Sequence, residues 1–245
     1  MSPVGQSVND QVAFRMWVSA ELVLGATVLA TLLGIGIGVF TASRQYRLAD
    51  RIGQATSIIT MNIPIVVAAF LVVLLGIWVN GVLDTRVFFV TGSATPGLTG
   101  FFPILIDTLQ HLALPTLALV IVQYASLHFL QRSLLLDSIH ADYVRTARAK
   151  GLTRQQAIRK HALRTSLIPV ATQVAFTIPT VFTGAVISEK IFGWNGIGSY
   201  FLDTIAGNDI HGVVAIAAFG AALTAVGALL ADVAVVVLDP RVRVS

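Results

Sequence analysis

The groups that could do bond-making chemistry are thinly spread along this 245-residue chain. Its five His stand at 111, 128, 140, 161 and 211, with no tight ligand spacing, so no metal site is expected. There is no Cys, which excludes a disulfide framework, a thiol nucleophile and a Cys-ligated metal. Ser, His and Asp occur without a nucleophile motif, which makes a hydrolase a poor reading. No G-x-x-x-x-G-K-[ST] loop is present, so the chain cannot cradle nucleotide phosphates by that device. The expectation is a chain with no catalytic residues and no cofactor of its own. Positive charge, by contrast, is concentrated: eight of the 16 Lys and Arg lie between Arg132 and Arg164.

Most of that charge falls in "DYVRTARAKGLTRQQAIRKHALRTSLIPV", Asp142 to Val170. Asp137 to Lys150 contains good helix formers and neither Gly nor Pro. Gly151 then supplies a stop in which a left-handed conformation carries no Cβ penalty. Thr153-Arg154-Gln155-Gln156 fits a capping box, the Thr hydroxyl accepting from the Gln156 amide while the Gln156 side chain reaches back. The segment therefore predicts a helix, a glycine turn and a second helix. In that second helix Ala157, Ile158, His161, Ala162 and Thr165 share one side, with Arg159, Lys160 and Arg164 largely turned away. A plain solvated basic loop is the alternative, but such a loop needs no capped helices. Ala147 and Gly151, four apart, would let another surface come close. Only Tyr143 could stack on a base, so a nucleic-acid patch is not expected.

The elements that must position this segment are membrane spans. The chain is 56% hydrophobic and 11% charged, against roughly 25% charged in soluble domains. Five apolar runs are long enough to cross a bilayer as helices: Val18–Ala42, Ser57–Val79, Leu112–Gln131, Leu167–Ile187 and Val213–Val237. Thirteen Lys and Arg fall on one side of the resulting topology; Arg15, Arg86 and Lys190 fall on the other. The positive-inside rule places the Asp142 segment and the carboxyl terminus in the cytoplasm and the amino terminus outside. An outside amino terminus without a secretory signal suggests that a preceding span is missing from this chain.

Single residues within the spans have competing readings. Glu21, His128 and Asp232 could snorkel, bond between helices or serve translocation. Gln123 lines a path or bonds a neighbour. Gly34, Gly36 and Gly38 favour close helix packing over an ion site. Pro64, Pro115 and Pro179 predict kinks. Outside the membrane, Gly81–Gln110 is rich in turn residues. Phe88, Phe89, Phe101, Phe102, Phe192, Trp194, Tyr200 and Phe201 fit an interfacial aromatic belt.

At "RTARAKGLTRQQAIRKHALR" the chain resembles the cytoplasmic signature loop of binding-protein-dependent ATP-binding-cassette (ABC) importer permeases, E-A-A-x(3)-G-x(9)-I-x-L-P. Arg145-Thr146-Ala147 take the E-A-A places and His161-Ala162-Leu163-Arg164 the I-x-L-P places; only Ala147, Gly151 and Leu163 match the general pattern. "DYVRTARAKGL", "HALR-x-x-LIPV", "LALPTLAL", "FGWNGIG" and "LDPRVRV" resemble, in order, the B-type permease subunit of the peptide and nickel branch. Thr165-Ser166 and Asn195 depart from the expected Asn-Ala and Pro. B-type permeases usually carry one more helix at the start, so a misassigned start codon or a truncated form is expected.

The resemblance implies an all-α polytopic bundle of type I importer kind, about five spans in one permease domain, 1–245, with a cytoplasmic coupling segment at 137–166. It implies ATPase coupling through Arg145, Thr146, Ala147, Arg148, Lys150, Gly151, His161, Leu163 and Arg164. ATP and Mg would be bound by partner subunits: two cytoplasmic ATPases, beside a homologous C-type permease and an extracytoplasmic binding protein. The outer segments Gly81–Gln110 and Glu189–His211 are candidates for receiving the binding protein. The location implied is a bacterial or archaeal plasma membrane. The expected cargo is di- or oligopeptide, with nickel or glutathione as near alternatives. A self-contained secondary transporter or channel is the rival from another class.

Overall fold

A computed structural model describes residues 7–238, with backbone only at 177–184 and 238. In chain order the helices are α1 (Val8–Ser43), α2 (Leu48–Met61), α3 (Ile65–Leu83), α4 (Phe101–Ile139), α5 (Asp142–Ala149) and α6 (Arg154–Ala157). A π turn (Ile158–Ala162) leads into α7 (Leu163–Gly184), followed by α8 (Val186–Phe192), α9 (Ile197–Ala206) and α10 (Ile210–Leu238). Every regular element among the described residues is helical, and four helices (α1, α3, α4 and α10) are long and apolar enough to cross a membrane. The Leu167–Ile187 run lies mainly in α7, part of it in the backbone-only stretch. Arg241, Arg243 and most of "LDPRVRV" lie outside the described residues, as does the side chain of Pro179.

Several boundaries differ from the sequence expectation. The run Ser57–Val79 is not one span: Asn62 caps α2 and Pro64 begins α3 in an extended conformation. Pro64 breaks the helix because its ring cannot follow a helical carbonyl four residues back. Pro115, by contrast, sits inside the continuous α4. That helix begins at Phe101, so the outer connection is irregular only to Gly100.

The chain divides into two compact units. One comprises residues 1–28, 63–122 and 178–224. Its outer loop is pinned by side chains: the Asn80 amide donates to the Phe88 carbonyl at 2.7 Å and accepts from Val87 and Phe88. Asp107 accepts from the Thr95 backbone and hydroxyl, at 2.9 and 2.6 Å, and Phe89 stacks on His111 at 4.1 Å.

The other unit comprises residues 29–62, 123–177 and 225–245. Close packing explains two of the three glycines in the "LLGIGIGVF" stretch of α1. A Cβ on Gly34 would stand 2.6 Å from the Leu127 Cβ, and one on Gly38 would stand 2.8 Å from the Gln131 Cβ. Gly36 faces open space. The same unit holds a core of Ala42, Leu135, Val144, Ala147, Ala157, Ile158 and Ala162, to which Val39, Leu136, Ile139 and Leu152 add their edges. Four alanines in that core let short helices approach closely.

Candidate functional site

The basic segment forms a folded object on this core. Helix α5 starts at Asp142, later than the expected Asp137, because α4 runs on to Ile139. The break has a packing cause. Leu135 of α4 and Val144 and Ala147 of α5 share one core, which a straight continuous helix could not arrange. Asp142 stabilises the new amino end as an acidic first-turn residue. Gly151 follows at φ +94°, the left-handed conformation expected of it. The capping box is present: the Gln156 amide donates to the Thr153 hydroxyl at 3.3 Å, and the Thr153 amide donates to the Gln156 side chain at 3.0 Å.

The second helix differs from expectation in register. Of the residues expected to share one side, Ala157, Ile158 and Ala162 are buried, but Thr165 is exposed and Ser166 takes the inward place. The π turn is the reason, since it adds a residue to one turn and rotates the following face. Ser166 thereby accepts a hydrogen bond from the Gln131 amide of α4 at 2.9 Å.

The expected coupling residues separate into two groups. Arg145, Thr146, Arg148, Lys150 and Gly151 are exposed on α5 and its turn. Ala147 is buried, so the surface that comes close to it is this chain's own. His161 and Leu163 are half-buried at the π turn and the start of α7, and Arg164 is exposed. Helix α5 is thus an amphipathic rod: apolar residues anchor one side and guanidinium and ammonium groups cover the other.

The same unit holds a polar network not anticipated from the sequence. Asp50 of α2 is fully buried and receives two hydrogen bonds from Arg132 of α4, at 2.8 and 2.9 Å. The Tyr46 amide and the Gln54 side chain donate to the same carboxylate. The Arg132 guanidinium holds the Asp50 carboxyl below its ordinary 3.8, against burial, which acts the other way. One turn earlier on α4, His128 is fully buried between the Thr41 hydroxyl at 3.0 Å and the Ser57 hydroxyl at 2.7 Å. Of the readings open for His128, the structure shows hydrogen bonding between helices. These contacts tie α1 and α2 to α4 close to where α4 gives way to α5. Asp50 carried no motif, and its partner lies 82 residues away, so spacing could not have found it.

Residues 34–244 match the family described as binding-protein-dependent transport system inner membrane component. The chain belongs to that family. It is similar to the oligopeptide transport system permease protein OppB of Mycobacterium tuberculosis, with 42% identity over 242 residues, covering 98% of this chain and 74% of the relative. The oligopeptide permease AppB of Bacillus subtilis is 34% identical over 244 residues, 98% of this chain and 73% of its own length. The dipeptide permease DppB of Bacillus subtilis is 32% identical over 237 residues, covering 97% and 71%. This protein is therefore a multi-pass inner membrane component of a binding-protein-dependent transport system.

Within this permease component the "FGWNGIG" stretch also has a structural explanation. Glu189 of α8 is fully buried. It accepts from the Ser19 hydroxyl at 2.6 Å and from the Ser199 amide at 2.7 Å, while Ser19 accepts from the Ile197 amide at 2.8 Å. A Cβ on Gly196 would strike the Glu189 carboxylate, and one on Gly198 would stand 2.8 Å from the Val186 Cα. The glycines therefore make room for a carboxyl cradle. Burial raises the Glu189 carboxyl above its ordinary 4.5, opposed by the Ser19 and Ser199 bonds and by the Arg15 charge. In the sequence Glu189 stands out only as the edge of an outer segment. Its signal was the Glu followed by a glycine-rich turn, read as interface rather than as core.

Proposed function

We propose that this chain is a B-type permease subunit that moves di- or oligopeptides across the plasma membrane, driven by ATP hydrolysed on separate cytoplasmic subunits. One observation carries the reading most directly. A short helix, α5, is clamped on its apolar side to the ends of α1 and α4 while presenting Arg145, Arg148 and Lys150 outward. The similarity to peptide permeases over 97–98% of the chain supports the cargo class.

In this reading α5 and the Gly151 turn dock into a groove of the ATPase. Closure of two ATPases pushes α5, and the Asp50–Arg132 and His128 contacts carry the displacement into α1, α2 and α4. The permease then rocks between inward-open and outward-open states, paired with a homologous C-type subunit. Arg145, Thr146, Arg148, Lys150, Gly151 and Arg164 meet the ATPase, with the charges orienting the encounter. Ala147 positions α5 from below, and His161 and Leu163 hold the second helix against the span. The cytoplasmic side is the side rich in Lys and Arg. The segments Gly81–Gln110 and Glu189–His211 face an extracytoplasmic binding protein that selects the cargo.

The test is uptake of labelled peptide by the reconstituted complex, with ATP and with a hydrolysis-dead ATPase. Uptake that stops with the dead ATPase is expected. Uptake that continues would overturn the importer reading in favour of a self-contained transporter.

A further inference from the structure

A second site is built between the end of α1 and the later part of the basic segment itself. A cleft of about 570 Å³ runs between the end of α1, the turn after it and the α6–π segment. Its apolar lining is Gly36, Val39, Phe40, Ile158 and Leu163, with Ser43 and Gln155 beside them. Its rim carries four guanidinium groups, those of Arg44, Arg47, Arg154 and Arg159. None of the four is ion-paired with a carboxylate among the described residues. Arg44 lies over the Phe40 ring at 4.0 Å, which holds it at the join of apolar lining and charged rim.

The cleft is also the foot of an apolar track. Leu29, Leu32, Leu33 and Phe40 of α1 are exposed and follow one another at helical spacing toward Arg44. From Leu29 to Phe40 the helix rises roughly 16 Å, about the depth of one leaflet's hydrocarbon. A molecule that fits is apolar along its length and anionic at one end. We infer that this cleft binds the phosphate headgroup of an anionic phospholipid, with an acyl chain lying along the Leu29–Phe40 face of α1. Unneutralised arginines at a membrane boundary attract such headgroups. The ligand rests on the membrane reading of α1 and not on the cargo or the ATPase partner. Because Arg154, Arg159 and Ile158 belong to the α6–π segment, a bound lipid also braces that segment against α1.

The experiment uses the full chain, with any subunits that copurify, taken from nanodiscs of equal phosphatidylglycerol and phosphatidylcholine. Retained lipid is counted by native mass spectrometry. Wild type is expected to retain phosphatidylglycerol preferentially. The R47Q/R159Q variant is expected to lose that preference roughly 30-fold, from about 1 kcal/mol per basic residue near the surface. Gly36→Leu places a side chain in open space, so it should fold normally, obstruct the acyl path and lower phosphatidylglycerol retention. Equal retention of the two lipids, or unchanged preference in R47Q/R159Q, would overturn the inference. Full displacement by glycerol phosphate, with Gly36→Leu behaving as wild type, would show a free phosphate site and overturn the lipid assignment. Photo-crosslinking from position 47 or 159 to a partner subunit, with no lipid retained, would equally overturn it.

Discussion

Asp50 and Arg132 meet in a bidentate ion pair across 82 residues of chain, with Asp50 fully buried. The two parallel bonds fix α2 to α4 in one register, as a single bond to Lys would not. Removing the cation leaves a buried carboxylate unpaired, so Arg132→Ala is expected to cost about 3–5 kcal/mol. Arg132→Lys should cost less but not be neutral. Denaturant unfolding of the purified chain in micelles checks both. A loss for Arg132→Ala no larger than that for Arg145→Ala, an exposed residue, would contradict the clasp. Because the Asp50 pKa is lowered, its contribution is present above about 3.8 and disappears as pH falls through the folded value.

Glu189 predicts the opposite slope. Its folded pKa is raised above 4.5, so the folded state binds the proton more tightly than the unfolded one. Stability from this group is fullest below the unfolded value and declines as pH rises through the folded value. Glu189→Gln can accept from the Ser199 amide and donate to Ser19, so it should fold well and flatten this part of the pH profile. Glu189→Ala leaves the Ser199 amide without its acceptor, at about 1–3 kcal/mol. Melting curves across pH for the three proteins decide the matter; a Glu189→Gln profile parallel to wild type would sink it.

The glycines of "LLGIGIGVF" should behave unequally. Gly34→Ala forces a contact with Leu127 and with the Tyr124 carbonyl, and is expected to destabilise by about 1–3 kcal/mol. Gly36→Ala meets nothing and should gain up to about 1 kcal/mol from helix propensity. Equal effects in an unfolding assay would argue against α1–α4 packing at Gly34.

Removing the Thr153 cap should loosen the basic segment without unfolding the protein. Thr153→Ala is expected to cost about 1 kcal/mol, and amide exchange should accelerate at residues 154–157 while α4 stays protected. Unchanged exchange there would mean that the core residues Ala157 and Ile158 alone hold α6.

How far the sequence could be read depended on the range of each interaction. Gly151 and the Thr153 box act over a few residues, and both stand as their types demanded. Apolar run length located α1, α3, α4 and α10, since a bilayer sets that length. Pro64 was visible too, though as a kink rather than the end of a helix. The start of α5 was not legible, because the break at Ile139 follows from packing Val144 and Ala147 against Leu135. The exchange of Thr165 for Ser166 was hidden as well, since it follows from one π turn. Asp50 and Glu189 were missed for a related reason: each is explained by partners far away in the chain, Arg132 and Ser19. Composition had marked Arg132 only as one more positive charge.

The central claim is that α5 and its glycine turn transmit the work of ATP hydrolysis to the spans. Proline at 151 cannot adopt the left-handed φ and removes the amide that donates to the Arg148 carbonyl at 3.0 Å. The direct measurement is the ratio of peptide taken up to ATP hydrolysed by the reconstituted complex carrying Gly151→Pro, with membrane insertion confirmed separately. A fall in that ratio of roughly tenfold or more is expected while insertion and hydrolysis persist. A wild-type ratio would contradict it.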